Sequence, residues 1–536
     1  MNVTYSLVVK QWQKMVRNIG LGYDKILVVY TKAILWYLLY FGGLMKKVVL
    51  AVKTVIFLII LAICLFAVSL VVERKSSYDK NQKFFEEAKK DHIDAFILGS
   101  SHVINGINPV QMYREHGYTS YNLGGFGSVH LSTYWQFRLA LDYCTPKHVV
   151  IDSYMLENDV RYIDDPASNI DAGELHLNID RFPLNKTKME ALDDMFENKE
   201  SKYEFISDFI IYHDRWKELS SNDFKRLTNK GEYNQLMGAV MEYGLHATDF
   251  TYTDFQAGVL DHETVGTTYL KRIIEDCKER NIEVLVLTVP FWAMQDGQLA
   301  ANTSEMIAAE YGVNALNLLK APGLIDLNSD MADAGHLNIL GARKVTEFLG
   351  AYIAQNYDLP DHRSDPDYSA WSEAVASYDN GIRAEADGNE NIYSQLITLN
   401  LLRGEKTFAV SIRGGTAVYG DNSLIRQLRQ LGAGEALERA VISDSSYMLI
   451  SDHGQIFEFA GDGEGQQIAT ENLNIVYIPV SDIYRVLYCG DDSETNYLYS
   501  DEHAYADVQL LMFTDGEVSA HQYYTSDHFE YDYEEN

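Results

Sequence analysis

A chain of 536 residues with 47% hydrophobic and 23% charged content is neither disordered nor short enough for a single average domain. Its 77 acids outweigh 44 Lys/Arg, for a net charge of −33. Residues 1–53 hold eight Lys/Arg against Asp24 alone, so the body from residue 54 onward carries −40. A body that acidic repels phosphate backbones, which argues against nucleic acid as a partner. The four cysteines, Cys64, Cys144, Cys277 and Cys489, form no CxxC and no Cys/His cluster. A disulfide scaffold and a structural zinc site are thereby disfavoured, and no metal or other cofactor is expected.

In chain order, residues 26–43 are apolar but interrupted by Lys32. They predict a helix lying at the cytoplasmic interface, with a second span making a hairpin as the alternative. Thr54–Val72 is nineteen residues without a charge, preceded by Lys46, Lys47 and Lys53. That length predicts a transmembrane signal anchor with the basic amino end inside and everything beyond a stalk at 73–90 outside the cytoplasmic membrane. HIDAFILGSS (91–101 region) then reads as a buried strand ending in a Gly-Ser-Ser loop. A helix at 130–143, a strand at 147–153, a helix at 266–280, a strand at 282–290, a helix near 303–311 and a helix at 341–355 follow. Strands alternating with helices predict an α/β fold with a parallel sheet covered on both faces, its active site at the carboxyl ends of the strands.

Residues 160–265 break the alternation and predict a partly helical insertion capping the sheet edge. Residues 359–390 are polar and predict a linker to a smaller β-rich α+β domain at 391–536. There Asp452-His453-Gly454 and Asp515-Gly516 sit between alternating apolar runs, a hairpin pattern. A single helix is expected at 423–440.

The chemistry-bearing residues are Ser101, Asp333 and His336. A serine hydroxyl is a weak nucleophile until an imidazole takes its proton, and a carboxylate fixes that imidazole's tautomer. Asp-x-x-His supplies base and orienter from one short loop. Position strengthens the pattern, because Gly-Ser-Ser closes the first strand and Asp-x-x-His directly precedes the last helix of the α/β segment.

LGSSH (98–102), YNLGGFG (121–127) and DAGHLNILGA (333–342), in that order, resemble the block motifs of the SGNH/GDSL hydrolase superfamily. The resemblance spans about residues 91–358 and implies a flavodoxin-like three-layer α/β/α fold with Ser101 as nucleophile, His336 as base and Asp333 as its orienter. It also implies an oxyanion hole of the Ser101 amide, a block-two glycine (Gly127, with Gly124 or Gly125 as alternatives) and a block-three asparagine, here Asn158. Two positions differ from the family pattern. Ser100 replaces the usual Asp, and Asn158 falls some three residues late.

The anchor, Gly-Ser-Ser and the HLN..GA ending look most like the acyltransferase branch, which includes the D-alanyl transfer protein of teichoic-acid modification and the alginate O-acetylation proteins. The expected function is therefore O-acylation of an envelope or exported polysaccharide, beside a membrane-bound O-acyltransferase partner. Hydrolysis by the same triad and a non-catalytic scaffold are the alternatives. YHDRW (212–216) places His213 and Arg215 as candidate groups for an acidic substrate.

Overall fold

The computed structural model describes residues 23–72, 79–166, 170, 172–206, 211–228, 233–246, 250–251, 255–388, 391–461, 467–469, 473–478, 483–488, 506–514 and 517–524. It divides into two units, one of residues 1–74 with 211–231 and one of residues 75–210 with 232–536.

The first unit is dominated by helix α1 (Tyr23–Val72). Within it Lys47–Val72 is the one stretch among the described residues long and apolar enough to cross a membrane. No turn separates residues 26–43 from this stretch. The 50-residue helix neither reverses at Gly42-Gly43, as a hairpin requires, nor starts anew as a separate interfacial helix. Leu, Ile, Val and Ala on every face favour continuous helix, and no proline interrupts them.

The second unit is mixed α/β. Its parallel sheet consists of β1 (Ala95–Leu98), β2 (Ser120–Asn122), β3 (His148–Asp152), β4 (Glu283–Thr288) and β5 (Asn314–Asn317), ordered β2-β1-β3-β4-β5. The central strands AFIL, HVVID and VLVLT are buried almost throughout, as a sheet covered on both faces demands. Strand β5 was not legible as a strand, being four half-exposed residues at the sheet edge.

Six helices connect or cover these strands: α2 (Ser101–Gly106), α3 (Pro109–His116), α4 (His130–Leu141), α5 (Val265–Glu279), α6 (Gln295–Tyr311) and α7 (Ile339–Asn356). Helices α2 and α3 pack with α7, whereas α4 packs with α5, and α5 with α6. Asn108 starts α3 by accepting from the Val110 N–H (3.0 Å) ahead of Pro109, and left-handed Gly117 ends it. The order reverses at β1, whose two neighbours are reached by connections on opposite faces. That reversal opens a crevice at the carboxyl ends of β1 and β3.

The insertion is three short helices (Ala172–Ile179, Lys186–Met195 and Lys199–Glu204) and an extended strap, residues 233–246. The strap runs beside edge strand β2, where the Asn122 N–H donates to the Met237 carbonyl (2.9 Å). It then crosses to α2, with the Val240 N–H on the Ile104 carbonyl (3.0 Å), and to α7, with the Ile339 N–H on the Glu242 carbonyl (2.7 Å).

The stretch expected as a linker contains helix α8 (Ser369–Gly388), whose apolar stripe Trp371, Ala374, Tyr378 and Ile382 is buried. Its polar residues are simply the outward face. Trp371 packs on Tyr113 of α3 (5.7 Å between rings) and Asp379 pairs with Arg114 (2.6 Å). Beyond it lies a five-stranded antiparallel sheet of β6 (Thr407–Ile412), β7 (Tyr447–Asp452), β8 (Gln455–Ala460), β12 (Val508–Thr514) and β13 (Glu517–Tyr524), ordered β13-β12-β6-β7-β8. Strands β9 (Gln467–Ala469), β10 (Leu473–Ile478) and β11 (Ile483–Tyr488) form a second, three-stranded sheet.

Alternation along these strands splits their side chains between two cores. Phe408, Val410, Tyr447, Leu449, Val508 and Leu510 join the core that also holds the parallel sheet. Ala409, Met448, Ile450, Leu511 and Phe513 face Leu473, Ile475 and Tyr484 instead. The β-rich part thus shares its main core with the α/β part. The hairpin at 452–454 is present, with His453 and Gly454 both at positive φ. Asp515-Gly516 lies outside the described residues. The expected helix at 423–440 is two helices, Asn422–Leu431 and Glu435–Ser443, broken where Gly432 turns left-handed at φ 111°.

Trp371 is fully buried between α8 and α3, so Trp371→Ala is expected to cost about 3–5 kcal/mol. Denaturant unfolding of the detergent-solubilised chain, followed by near-UV circular dichroism, measures it. Arg114→Ala, which breaks a half-exposed ion pair, is expected to cost no more than about 1 kcal/mol.

Candidate active site

Strand β1 ends at Leu98, and the next three residues position Ser101. Gly99 adopts φ 153°, and a Cβ there would lie 2.8 Å from the Cβ of Asp152, so only glycine lets β1 and β3 close up at this level. Ser100 is buried and its Oγ accepts from the His102 N–H (3.3 Å), capping α2. Ser101 is the first residue of α2. Its amide therefore belongs to the set that has no acceptor within the helix.

The histidine comes from the loop before α7. Asp333 Oδ1 accepts from the Gly335 N–H (2.7 Å) and the His336 N–H (2.8 Å), a turn built by the carboxylate on its own backbone. The same carboxylate accepts from His336 Nδ1 at 2.8 and 2.9 Å. Asn338 caps α7 by accepting from the Leu340 N–H (3.0 Å), and a Cβ on Gly341 would strike the Asp330 carbonyl at 2.4 Å. This accounts for the Asn and Gly of HLN..GA as the joint that aims the histidine.

The two loops meet. Ser101 Oγ donates to His336 Nε2 at 2.7 Å, so Asp333, His336 and Ser101 form one hydrogen-bonded line with the imidazole proton on Nδ1. Burial works to lower the His336 pKa, but the hydrogen bond and charge of Asp333 outweigh it, helped by Glu242 and Glu174, and hold it above the usual 6.5. For Asp333, burial is outweighed by His336 and the two amides, and its carboxyl lies below the ordinary range. His336 can take a proton from serine and retain it while the carboxylate stays charged.

Three further groups surround the line. His102 is buried, stacked on Tyr154 (3.4 Å between rings, 20°) and edge-on to Phe291 and His336. Burial, with the nearby charge of His336, keeps it neutral despite Asp333. Glu242, on the strap, receives the Asn105 amide (3.1 Å). Burial pushes its carboxyl up, against the pull of His336. Asp152, buried at the end of β3, takes the Val289 N–H (3.1 Å) and is pushed by burial up to about 7.

The oxyanion candidates divide. Gly124 and Gly125 spend their amides on Asn122 Oδ1 (3.0 Å) and the Gly99 carbonyl (2.9 Å). Gly127 has φ 57° and no acceptor for its amide among the described residues; the Glu174 carboxylate lies where its Cβ would be. Asn158 lies in the loop after β3, where its Oδ1 accepts from the Val160 N–H (2.9 Å) and its carbonyl from the Gly266 N–H (3.0 Å); both bonds use its acceptors and neither engages the side-chain amide that would donate to an oxyanion. Arg215 belongs to the unit of α1, and its guanidinium is engaged with the Val72 carbonyl (2.9 Å) and Asp223 (3.1 Å). An acidic substrate would have to displace both. The side chain of His213 lies outside the described residues, as does Cys489, while Cys64, Cys144 and Cys277 are free thiols.

Glu242, Glu174 and Tyr154 carried no sequence signal. Each sits in an irregular or short segment, and only the crossing of the strap and the stacking of loops bring them to His336. No protein-family model matches the chain, and no curated protein matches it.

A base must be neutral to act, so reactivity at Ser101 is expected to rise with pH through a midpoint above 6.5 and to vanish below it. Glu242→Gln removes a charge that favours the imidazolium, so the midpoint should move to lower pH. The pH profile of fluorophosphonate labelling tests this, and an unmoved midpoint would remove Glu242 from the account.

Proposed function

We propose that the chain is a membrane-anchored, extracytoplasmic serine O-acyltransferase of the SGNH type, acting on a cell-envelope or exported polysaccharide. One observation carries the chemistry: the 2.7 Å bond from Ser101 Oγ to His336 Nε2, with Asp333 on the opposite ring nitrogen. The strand order β2-β1-β3-β4-β5, with the serine after β1 and the histidine before α7, supports the flavodoxin-like three-layer reading. The apolar stretch Lys47–Val72 supports the anchor. The basic segment before it supports an outward-facing body.

In this reading Ser101 Oγ attacks the carbonyl of an acyl donor as its proton passes to His336 Nε2. The amides of Ser101 and Gly127 receive the developing oxyanion. Collapse of the tetrahedral intermediate expels the donor's leaving group, protonated by His336, and leaves an ester on Ser101. A sugar hydroxyl then loses its proton to His336, attacks that ester, and departs acylated as the proton returns to Ser101. A membrane-bound O-acyltransferase delivering the acyl group across the bilayer is the partner this reading asks for.

One observation favours a second reading. The His336 and Asp333 side chains are 30% and 40% exposed, so water reaches the base. An esterase would use the same covalent ester with water as acceptor.

Ser101→Ala is expected to abolish the adduct that mass spectrometry finds after fluorophosphonate treatment, and to lower turnover by on the order of 10⁴-fold or more. His336→Ala should be nearly as damaging, Asp333→Asn milder, and Ser100→Ala mild, since its hydroxyl only caps α2. Loss on Ser100→Ala with retention on Ser101→Ala would move the nucleophile by one residue. Indifference to both would leave a non-catalytic scaffold. Partition of the acyl group between water and an added sugar hydroxyl separates transferase from esterase.

A further inference from the structure

The last turn of α1 differs from the turns before it. Residues such as Phe57, Ile63 and Phe66 are exposed, but Val71 and Val72 are buried. The short helices His213–Lys217, Ser221–Lys225 and Arg226–Thr228 of the same unit pack against α1. Arg215 ties this segment to the helix by donating to the Val72 carbonyl (2.9 Å). Asp223 holds the guanidinium in place (3.1 Å) and is itself held by the Ser220 N–H (2.7 Å) and hydroxyl (3.0 Å). Burial opposes but does not overcome these bonds, and the Asp223 carboxyl lies below its ordinary range.

The outward side of this clamp is unlike a water-facing surface. Trp216 is 65% exposed, Phe224 51% and Leu227 46%. Lys217, with its ammonium 5.8 Å from the Trp216 ring, and Lys225 lie among them, both exposed. The uncharged run of α1 ends at Val72, so whatever packs on that turn sits at the depth where hydrocarbon gives way to headgroups. Exposed Trp and Phe beside Lys are the composition that partitions to this depth, with rings among the upper acyl chains and ammonium groups at the lipid phosphates.

We propose that residues 211–228 form a collar around the outer end of the anchor helix that docks into the phospholipid headgroup region through Trp216, Phe224, Leu227, Lys217 and Lys225. The proposal rests on the anchoring reading above. It gives the YHDRW segment a task in the membrane interface: Arg215 clamps the segment to α1, and Trp216 inserts.

The full chain, reconstituted in phosphatidylcholine–phosphatidylglycerol vesicles, tests the collar by site-specific fluorescence. In a Cys64→Ala, Cys489→Ala background, Trp216→Cys and Phe224→Cys each carry an environment-sensitive label, and exposed Lys199→Cys serves as the aqueous reference. Both collar labels should be blue-shifted, shielded from iodide, and quenched by a lipid nitroxide placed just below the headgroup. The reference should be quenched by iodide alone. Arg215→Ala with Asp223→Ala should return both collar labels towards the reference. Native Cys64, labelled separately, should be quenched by a nitroxide deep in the acyl chains. Quenching at Cys64 together with iodide-accessible collar labels would overturn the collar and leave the anchor standing. No quenching at Cys64 would remove the anchor and the collar with it. Shielding from iodide without quenching by any lipid nitroxide would mean that a protein surface covers these residues, which also overturns the proposal.

Discussion

A hydrogen bond of 2.7 Å between Ser101 Oγ and His336 Nε2 makes a demand on the whole second unit. The two side chains come from loops at opposite ends of the α/β segment, and an error of about 1 Å in either would cost on the order of a hundredfold in rate. Each loop is therefore fixed by contacts that tolerate no extra atoms. Gly99 lets β1 lie against β3, Ser100 caps α2, Asn338 caps α7, and Gly341 lets α7 start hard against the Asp330 carbonyl. Helices α2 and α3 then both pack on α7, so the serine and the histidine are carried by one layer.

The strap from 233 to 246 adds a second tie between these loops. It hydrogen-bonds β2, α2 and the start of α7 in succession, and it carries Glu242 to His336. Asp333, Glu242 and Glu174 all favour the charged form of that imidazole, against burial, which disfavours it. A histidine so supported is a stronger base than a surface one.

The carboxyl-terminal part braces the same layer from outside. Helix α8 packs its buried stripe on α3, the helix that follows the nucleophile. The antiparallel sheet divides its side chains between the shared core and a private one against β9–β11. A stretch that looks like a polar tether is thus half of a packed interface.

Much of this was legible in the residues themselves. Short apolar runs marked β1, β3 and β4, closed by Gly99 after β1 and by Pro290 after β4, because a fully buried strand admits little else. An uncharged run of membrane length marked the end of α1. Gly-Ser-Ser and Asp-x-x-His marked two halves of a serine site, since a base and its orienter placed in one loop leave a short, readable spacing. What lay beyond reading was whatever depends on partners distant in the chain. Polar residues at 369–388 gave no sign that Trp371 and Tyr378 would be buried, because the surface that buries them is α3. Asn158 fitted a motif, and only the fold shows that its Oδ1 also holds the turn to Val160. Arg215 suggested a ligand, and only the fold shows its guanidinium engaged with the Val72 carbonyl and Asp223. Glu242 had no pattern at all. Local propensity and spacing are properties of neighbours in sequence, whereas the environment of a charge, and so its role, is set by whichever groups the folded chain packs around it.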